Sequence, residues 1–342
     1  MSIHKVWLDC DPGHDDATAI LLALHTSSIE LLGISTVHGN TDATHTALNA
    51  ARCLHAWGAP PNLRVYAGAA KPLLRAPRYD PEIHGADGLG GVVGLPSPEA
   101  SEVRARIAVD QPAIEAIARA VREAEGKVVV VASGPLTNVA LFVSAYPELL
   151  EKIEQIVFMG GGIGIGNRSP GAEWNILCDP EAAQIVLDAP IKTVMMPLNV
   201  THKAIVTSAL QARLRNPSGE PGPASPLRHT LATLVTFFAD TYRSTFGFES
   251  GPPLHDALTI AYVAHPEFFE GTRWRVDVER AGVYTAGETI ADVYGYRACD
   301  DTWGPGGKNC FVVMDLRNDE FFEYLLQAVE QCDAVSPLNH RA

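Results

Sequence analysis

Short apolar runs recur along the chain, and each ends in a polar or glycine-rich cluster. Residues 6–8 run into DCDPGHDD, 31–37 into His38-Gly39-Asn40, and 128–132 into SGPLTN; 156–159 run into GGGIGIGN and 194–196 into PLNVTH. Unbroken rather than alternating apolar runs mark strands buried on both faces, as in a parallel sheet. Between them, 15–24, 43–57, 113–124 and 180–187 carry apolar residues at helical spacing. Strand and helix alternate, so the pattern predicts an α/β fold: an open, mostly parallel, Rossmann-like central sheet flanked by helices, with residues 1–342 as one domain. Ligands of such sheets bind beyond the carboxyl ends of the strands. The polar clusters are therefore expected to meet in one place.

Two stretches interrupt the alternation. Residues 72–98 contain HGADGLGG, and a loop of that kind either folds over a site or is plain surface. Residues 216–226 (NPSGEPGPASP) read as a solvated linker between helices.

Composition narrows the function classes. Apolar residues make up 46% and charged residues 19% of 342, enough for a sizeable core. Twenty-six basic against 40 acidic residues give a net charge of −14. That argues against nucleic acid as the partner, because phosphate binding needs a basic face. A small neutral substrate or a cation is compatible with it. No stretch approaches the ~20 apolar residues of a membrane helix. Cys10, Cys53, Cys178, Cys299, Cys310 and Cys332 are scattered without a CxxC pair. They read as reduced thiols, and a cytoplasmic location is expected.

The chemistry concentrates in Asp9-Cys10-Asp11-Pro12-Gly13-His14-Asp15-Asp16, four carboxylates within eight residues after a buried strand. Asp15 and Asp16 open the next helix, where the dipole favours negative charge. Asp9 and Asp11 at a strand end have no such excuse and would repel. A bound divalent cation resolves the repulsion, and all-oxygen donors suit Ca²⁺ or Mg²⁺ rather than zinc. Far along the chain, His255-Asp256 enters an apolar helix and offers either a metal ligand and a proton donor, or a surface histidine beside a helix-start charge. Gly166-Asn167 and Glu173-Trp174-Asn175 combine amides, a carboxylate and an aromatic ring, as a polyol-binding wall would. Phe237, Tyr242 and Phe246 precede His255 on a long apolar helix; they are candidates for a base pocket, although aromatics at such spacing are more often core. The GxGxxG, P-loop, GxSxG and HExxH patterns are all missing from the sequence.

Taken in order, DCDPGHDD, HGN, SGPLTN, the MGG…N…EWN segment, LHDA and TAGETIAD (285–292) resemble the inosine–uridine-preferring nucleoside hydrolases over about the first 300 residues. The resemblance implies Ca²⁺-dependent hydrolysis of the N-glycosidic bond of ribonucleosides, uridine or inosine in type, to ribose and free base. It implies Asp11, Asp16, Asp256 and the Ser133 carbonyl as metal ligands, and Asp11 as the base toward the attacking water. Asp15, Asn40, Asn167, Glu173 and Asn175 would hold the ribose hydroxyls, with Met159 and Trp174 beside the sugar. His255 would protonate the departing base, and His84 would close over the site. Homodimers or homotetramers are implied as well. Trp174, Asn199 and Ala286 depart from the commoner family residues, phenylalanine, aspartate and arginine, and bear on base preference, where uridine is favoured.

Two other readings compete. Asp9 and Asp11 match the nucleophile and acid of an aspartyl-phosphate phosphatase, but Pro12 breaks that pattern and the HDA and EWN clusters go unexplained. A Ca²⁺-dependent nucleoside or ribose binder without catalysis is the other.

Overall fold

The computed structural model describes residues 3–340. Its strands in chain order are β1 (His4–Cys10), β2 (Ile29–Thr36), β3 (Val65–Ala67), β4 (Ile107–Ala108), β5 (Val128–Ala132), β6 (Ile153–Met159), β7 (Thr193–Met196), β8 (Phe269–Trp274), β9 (Val276–Val278), β10 (Thr289–Ala291) and β11 (Cys310–Leu316). Nine of them form one sheet in the order β4-β3-β2-β1-β5-β6-β7-β11-β8, and β9 and β10 form a separate hairpin. All pairings in the large sheet are parallel except β8, which runs antiparallel to β11 at the edge. Strands such as Val128–Ala132 are buried along their whole length, as unbroken apolar runs require.

Helices cover both faces. One core joins the helices His14–Leu24, Ala43–Ala56 and Ala257–Ala264 to one side of the sheet; a second packs Ala113–Glu123, Thr137–Ala145 and Pro180–Leu187 on the other. The chain winds outward from β1 to β4, then returns to place β5 on the other side of β1. That reversal separates the loops after β1 and β5 and leaves a crevice at their carboxyl ends. The crevice is where the aspartates lie.

The 216–226 stretch is a largely exposed connection between the helices Ser208–Arg215 and Pro226–Phe246, and none of it lines the pocket described below. Among the described residues no helix is long and apolar enough to cross a membrane. None of the cysteines is in a disulfide, and five are buried.

Candidate active site

β1 delivers Asp9, Cys10 and then Asp11 at its carboxyl end, and the chain turns through Pro12 and Gly13 into the helix His14–Leu24. Asp16 closes this turn: its Oδ2 accepts from the Gly13 amide at 2.9 Å and its Oδ1 from the Asp11 amide at 3.3 Å. A glycine is needed at position 13 because a Cβ there would press on the His84 ring and lie 2.8 Å from Asn40 Nδ2. The Ser133 hydroxyl, from the loop after β5, donates to Asp16 Oδ1 at 2.7 Å. Asp256 arrives at the start of Ala257–Ala264, the helix that packs along His14–Leu24.

Asp15, Asp16 and Asp256 thus converge, with one carboxylate oxygen from each within 4.8 Å of the others, all buried. Burial raises all three above the ordinary carboxylate range: Asp15 to about 7, with repulsion from Asp16 adding to it, and Asp256 well up, with Asp15 and Asp16 adding. Asp11 is also driven well up, first by burial and then by Asp16. Its Oδ2 accepts from the Asn40 amide at 2.8 Å, while its buried Oδ1 has no hydrogen-bond partner. Glycines flank this carboxylate: a Cβ on Gly39 would collide with Oδ2, and one on Gly134 would sit 2.5 Å from Oδ1. A cluster of buried carboxylates with an unpaired oxygen, in a cradle kept open by glycines, suits a hard cation. Asp9 stands apart. Its Oδ1 accepts from Ser35 Oγ at 2.5 Å and Asn138 Nδ2 at 2.8 Å, and it does not line the pocket. The sequence reading paired Asp9 with Asp11; two neutral side chains satisfy one of its oxygens, while its Oδ2 is buried without a partner and burial lifts it to about 7.

A pocket opens above the cluster, lined by Asp15, Asn40, His84, Ser133, Met159, Asn167, Glu173, Trp174, Asn175, His255 and Asp256, together with Asp80, Ile83, Arg168, Tyr242 and Phe246. Every residue expected to touch substrate is therefore in one cavity. Several have settled partners. Glu173 caps the helix Trp174–Cys178 and accepts from the Gly161, Asn175 and Ile176 amides, while burial raises it to about 7. The Ser133 carbonyl accepts from Asn175 Nδ2 at 2.7 Å, which leaves its second lone pair. Asn167 Oδ1 receives the Trp174 amide at 2.9 Å. Trp174 Nε1, a donor only, is buried without a partner.

His255 is held at both ring nitrogens. Tyr242 OH lies 2.8 Å from Nε2 and Thr201 Oγ1 2.7 Å from Nδ1. Burial pushes this imidazole well below its usual range and the Tyr242 phenol well above its own, so the histidine is neutral and the tyrosine keeps its proton. The 72–98 loop does fold over the site. Its short helix Pro81–His84 brings His84 beside His14, with the two Nδ1 atoms 3.3 Å apart, and Asp80 forms a bidentate pair with Arg168. Arg168 also lies over the rings of Trp174 (5.8 Å) and Phe246 (5.5 Å). Phe237 faces away and stacks on His14 at 4.9 Å. Asn199 pins the loop after β6 by bonding both backbone groups of Ile163.

Sequence reasoning missed Asp80, Ile83, Arg168 and Thr201. Arg168 stands next to Asn167 and Ile83 next to His84, which were usable signals; Asp80 and Thr201 had none.

A sheet crevice with clustered carboxylates, a neutral histidine in the same pocket and a wall of amides defines a hydrolase site for a small polyhydroxylated substrate. The profile of the inosine-uridine preferring nucleoside hydrolases matches residues 6–323, and this chain belongs to that family of glycosidases acting on ribonucleosides. It is 39% identical to the pyrimidine-specific ribonucleoside hydrolase RihA of Shewanella woodyi, over 94% of this chain and 97% of that one. Its fold is similar to that of a purine-preferring ribonucleoside hydrolase from Gardnerella vaginalis (TM-score 0.85, 27% identity, 97% of this chain and all of that one). It is likewise similar to the plant nucleoside hydrolase PpNRh1 (TM-score 0.83, 27% identity, 95% and 98% of the two chains).

Proposed function

We propose that this chain hydrolyses the N-glycosidic bond of ribonucleosides in a Ca²⁺-dependent reaction, with uridine-type nucleosides preferred over purine ones. The observation that carries the reading is the convergence of buried Asp15, Asp16 and Asp256, with the unpaired Asp11 Oδ1 near them, at a cavity whose lining includes Asp15, Asp256 and neutral His255. Asp11, Asp16, Asp256 and the free lone pair of the Ser133 carbonyl would hold the ion. When bound, it supplies charge compensation and makes water more acidic.

Asp11 would take the proton from the attacking water. Asp15, Asn40, Asn167, Glu173 and Asn175 would grip the ribose hydroxyls and fix the sugar for attack, with Met159 against it and the unpaired indole N–H of Trp174 open to an acceptor. Breaking the bond builds positive charge on the sugar and negative charge on the base. The carboxylates stabilise the first; His255 would answer the second by passing a proton to the base as it takes one from the Tyr242 hydroxyl, which draws one from solvent in turn, so that neither group is left charged. His84, with Asp80, roofs the pocket. For the base, 39% identity to a protein named pyrimidine-specific weighs more than 27% to one named purine-preferring.

A reducing-sugar assay across uridine, cytidine, inosine and adenosine, with and without chelator, tests this. Uridine turnover that a chelator abolishes and Ca²⁺ restores is expected. His255→Ala should slow inosine by ~10²–10⁴-fold, the usual worth of such proton transfer. It should slow p-nitrophenyl riboside, whose leaving group needs no proton, far less; an equal drop removes the proton-donor role.

A further inference from the structure

His14 is buried at the first position of its helix and has no part in the chemistry proposed for the site. Its ring is nevertheless fixed on every side. Phe237 stacks on it at 4.9 Å, and Phe238 lies parallel to it at 5.6 Å. Its two nitrogens reach two points of one loop: Nε2 lies 2.9 Å from the Gly90 carbonyl oxygen, and Nδ1 lies 3.3 Å from His84 Nδ1. The Gly90 amide donates to the His84 carbonyl at 2.9 Å, so the segment 84–90 closes on itself and His14 holds both of its ends.

The ring protons follow from what each atom can do. Both imidazoles are buried, and among the described residues neither is bonded to a carboxylate, so each is neutral and carries one ring proton. A carbonyl oxygen only accepts. The proton of His14 therefore sits on Nε2 and points at Gly90, which leaves His14 Nδ1 a bare lone pair. A second lone pair on His84 Nδ1 would face it at 3.3 Å, whereas a proton there makes a hydrogen bond. The His14 amide also points toward His84 Nδ1, but at 3.4 Å that is the longest of these contacts, and the first amides of a helix have no partner within it. The proton of His84 thus sits on Nδ1, and its Nε2 is bare.

That bare nitrogen faces the substrate cavity. His84 and His255 are the histidines of the lining, and His255 has partners at both ring nitrogens. His84 Nε2 has none among the described residues and is not sealed off, so it opens to the cavity that His84 lines. We propose that His14 is a positioning residue: it anchors the roof at His84 and Gly90, and it fixes His84 in the tautomer whose Nε2 accepts a hydrogen bond from the substrate, from a ribose O–H or from the imino N–H of a pyrimidine.

The assignment divides the work between the two histidines. In this tautomer His84 accepts and has no proton to give the departing base, so that task stays with His255. Only the identity of the donor rests on the ribonucleoside reading of the site; the tautomer belongs to the free protein and is measured without substrate.

Two-bond nitrogen–proton correlation spectra of the protein with isotope-labelled histidine read the tautomer directly and need no variant of His14. The His84 signals, identified by their loss in His84→Gln, should show a protonated Nδ1 and a bare Nε2. A protonated Nε2 overturns the proposal, whatever the activity of the enzyme. Variants then separate the two bonds of His14. An asparagine amide reaches the place of Nδ1, and a glutamine amide that of Nε2. His14→Asn should therefore keep the His84 tautomer, while His14→Gln and His14→Leu should lose it. In those two, KM for uridine should rise about 3- to 10-fold, the worth of one hydrogen bond, with kcat nearly unchanged. Equal changes in all three variants would make His14 a packing residue and overturn the proposal. 3-Methyluridine locates the donor: a KM rise in His14→Leu that persists with it puts the donor on the ribose, and one that vanishes puts it on the base.

Discussion

The floor and the roof of the pocket are built on opposite principles. The floor is packed carboxylate: Asp11, Asp15, Asp16 and Asp256 are buried, close and repelling, and Asp11 leaves an oxygen unpaired. Hydrogen bonds to Asp11 and Asp16 offset only part of that cost, and such an arrangement persists because the sheet and two packed helices impose it. The roof is compensated throughout. Arg168 is matched by Asp80, its guanidinium lies over two aromatic rings, and His255 is bonded at both nitrogens. Repulsion is concentrated where the proposed ion would sit, and the charged and titratable groups above it are paired.

The sharpest way to break this contrast is to relieve the floor. Asp11→Asn keeps the acceptor for the Asn40 amide but removes the charge. Turnover should fall by ~10³-fold or more, within the range general-base removal produces. In chelator, however, the thermal midpoint should rise, because one member of a repelling set is gone. A variant that is both inactive and destabilised in chelator would make Asp11 a structural residue.

Proton and ion should compete for the same floor. In the metal-free protein, burial raises Asp15 and Glu173 to about 7 and lifts Asp11 and Asp256 well above the ordinary carboxylate range, against unfolded values near 4. The folded state then binds more protons than the unfolded chain as pH rises from about 4 to 7, so its stability falls across that window. On the proposed function Ca²⁺ would take over from those protons, and its stabilisation should grow across the same window. At 100 times its dissociation constant the ion contributes about 2.7 kcal/mol near neutrality. Melting with Ca²⁺ and with chelator at about pH 5 and pH 7.5 measures it. A calcium increment that is equal or larger at the lower pH would contradict the carboxylate assignment.

The same contrast explains what could be read without a structure. The floor was legible because its parts are local: a strand end and the first helical turn place Asp11, Asp15 and Asp16, and the HDA step carries its own helix start. Most inner strands were legible too, since Val128–Ala132 or Thr193–Met196 is apolar on both faces, but β11 (Cys310–Leu316), an inner strand between β7 and β8, was not among the runs read. Three-residue strands such as Val65–Ala67 and the edge strands leave too little pattern to find. The roof was only half legible. Its residues come from an irregular loop, a helix end and Thr201, and their meeting is set by tertiary packing. Tyr242 could not be told from a core aromatic because it is one by burial; only its 2.8 Å contact with His255 separates it.

That contact yields the smallest expected effect and the most discriminating one. Tyr242→Phe keeps the ring packed against Phe238 and Phe246 and removes only the hydroxyl. A hydrogen bond of this kind is worth about 0.5–1.5 kcal/mol, so kcat for uridine should drop about 3- to 10-fold with KM nearly unchanged. The loss should shrink for p-nitrophenyl riboside, because a leaving group that needs no proton does not call on the chain Thr201–His255–Tyr242. A drop as deep as that of His255→Ala would make the phenol itself the donor to the base. No drop at all would reduce the pair to packing, and the roof would then shape the pocket without taking part in its chemistry.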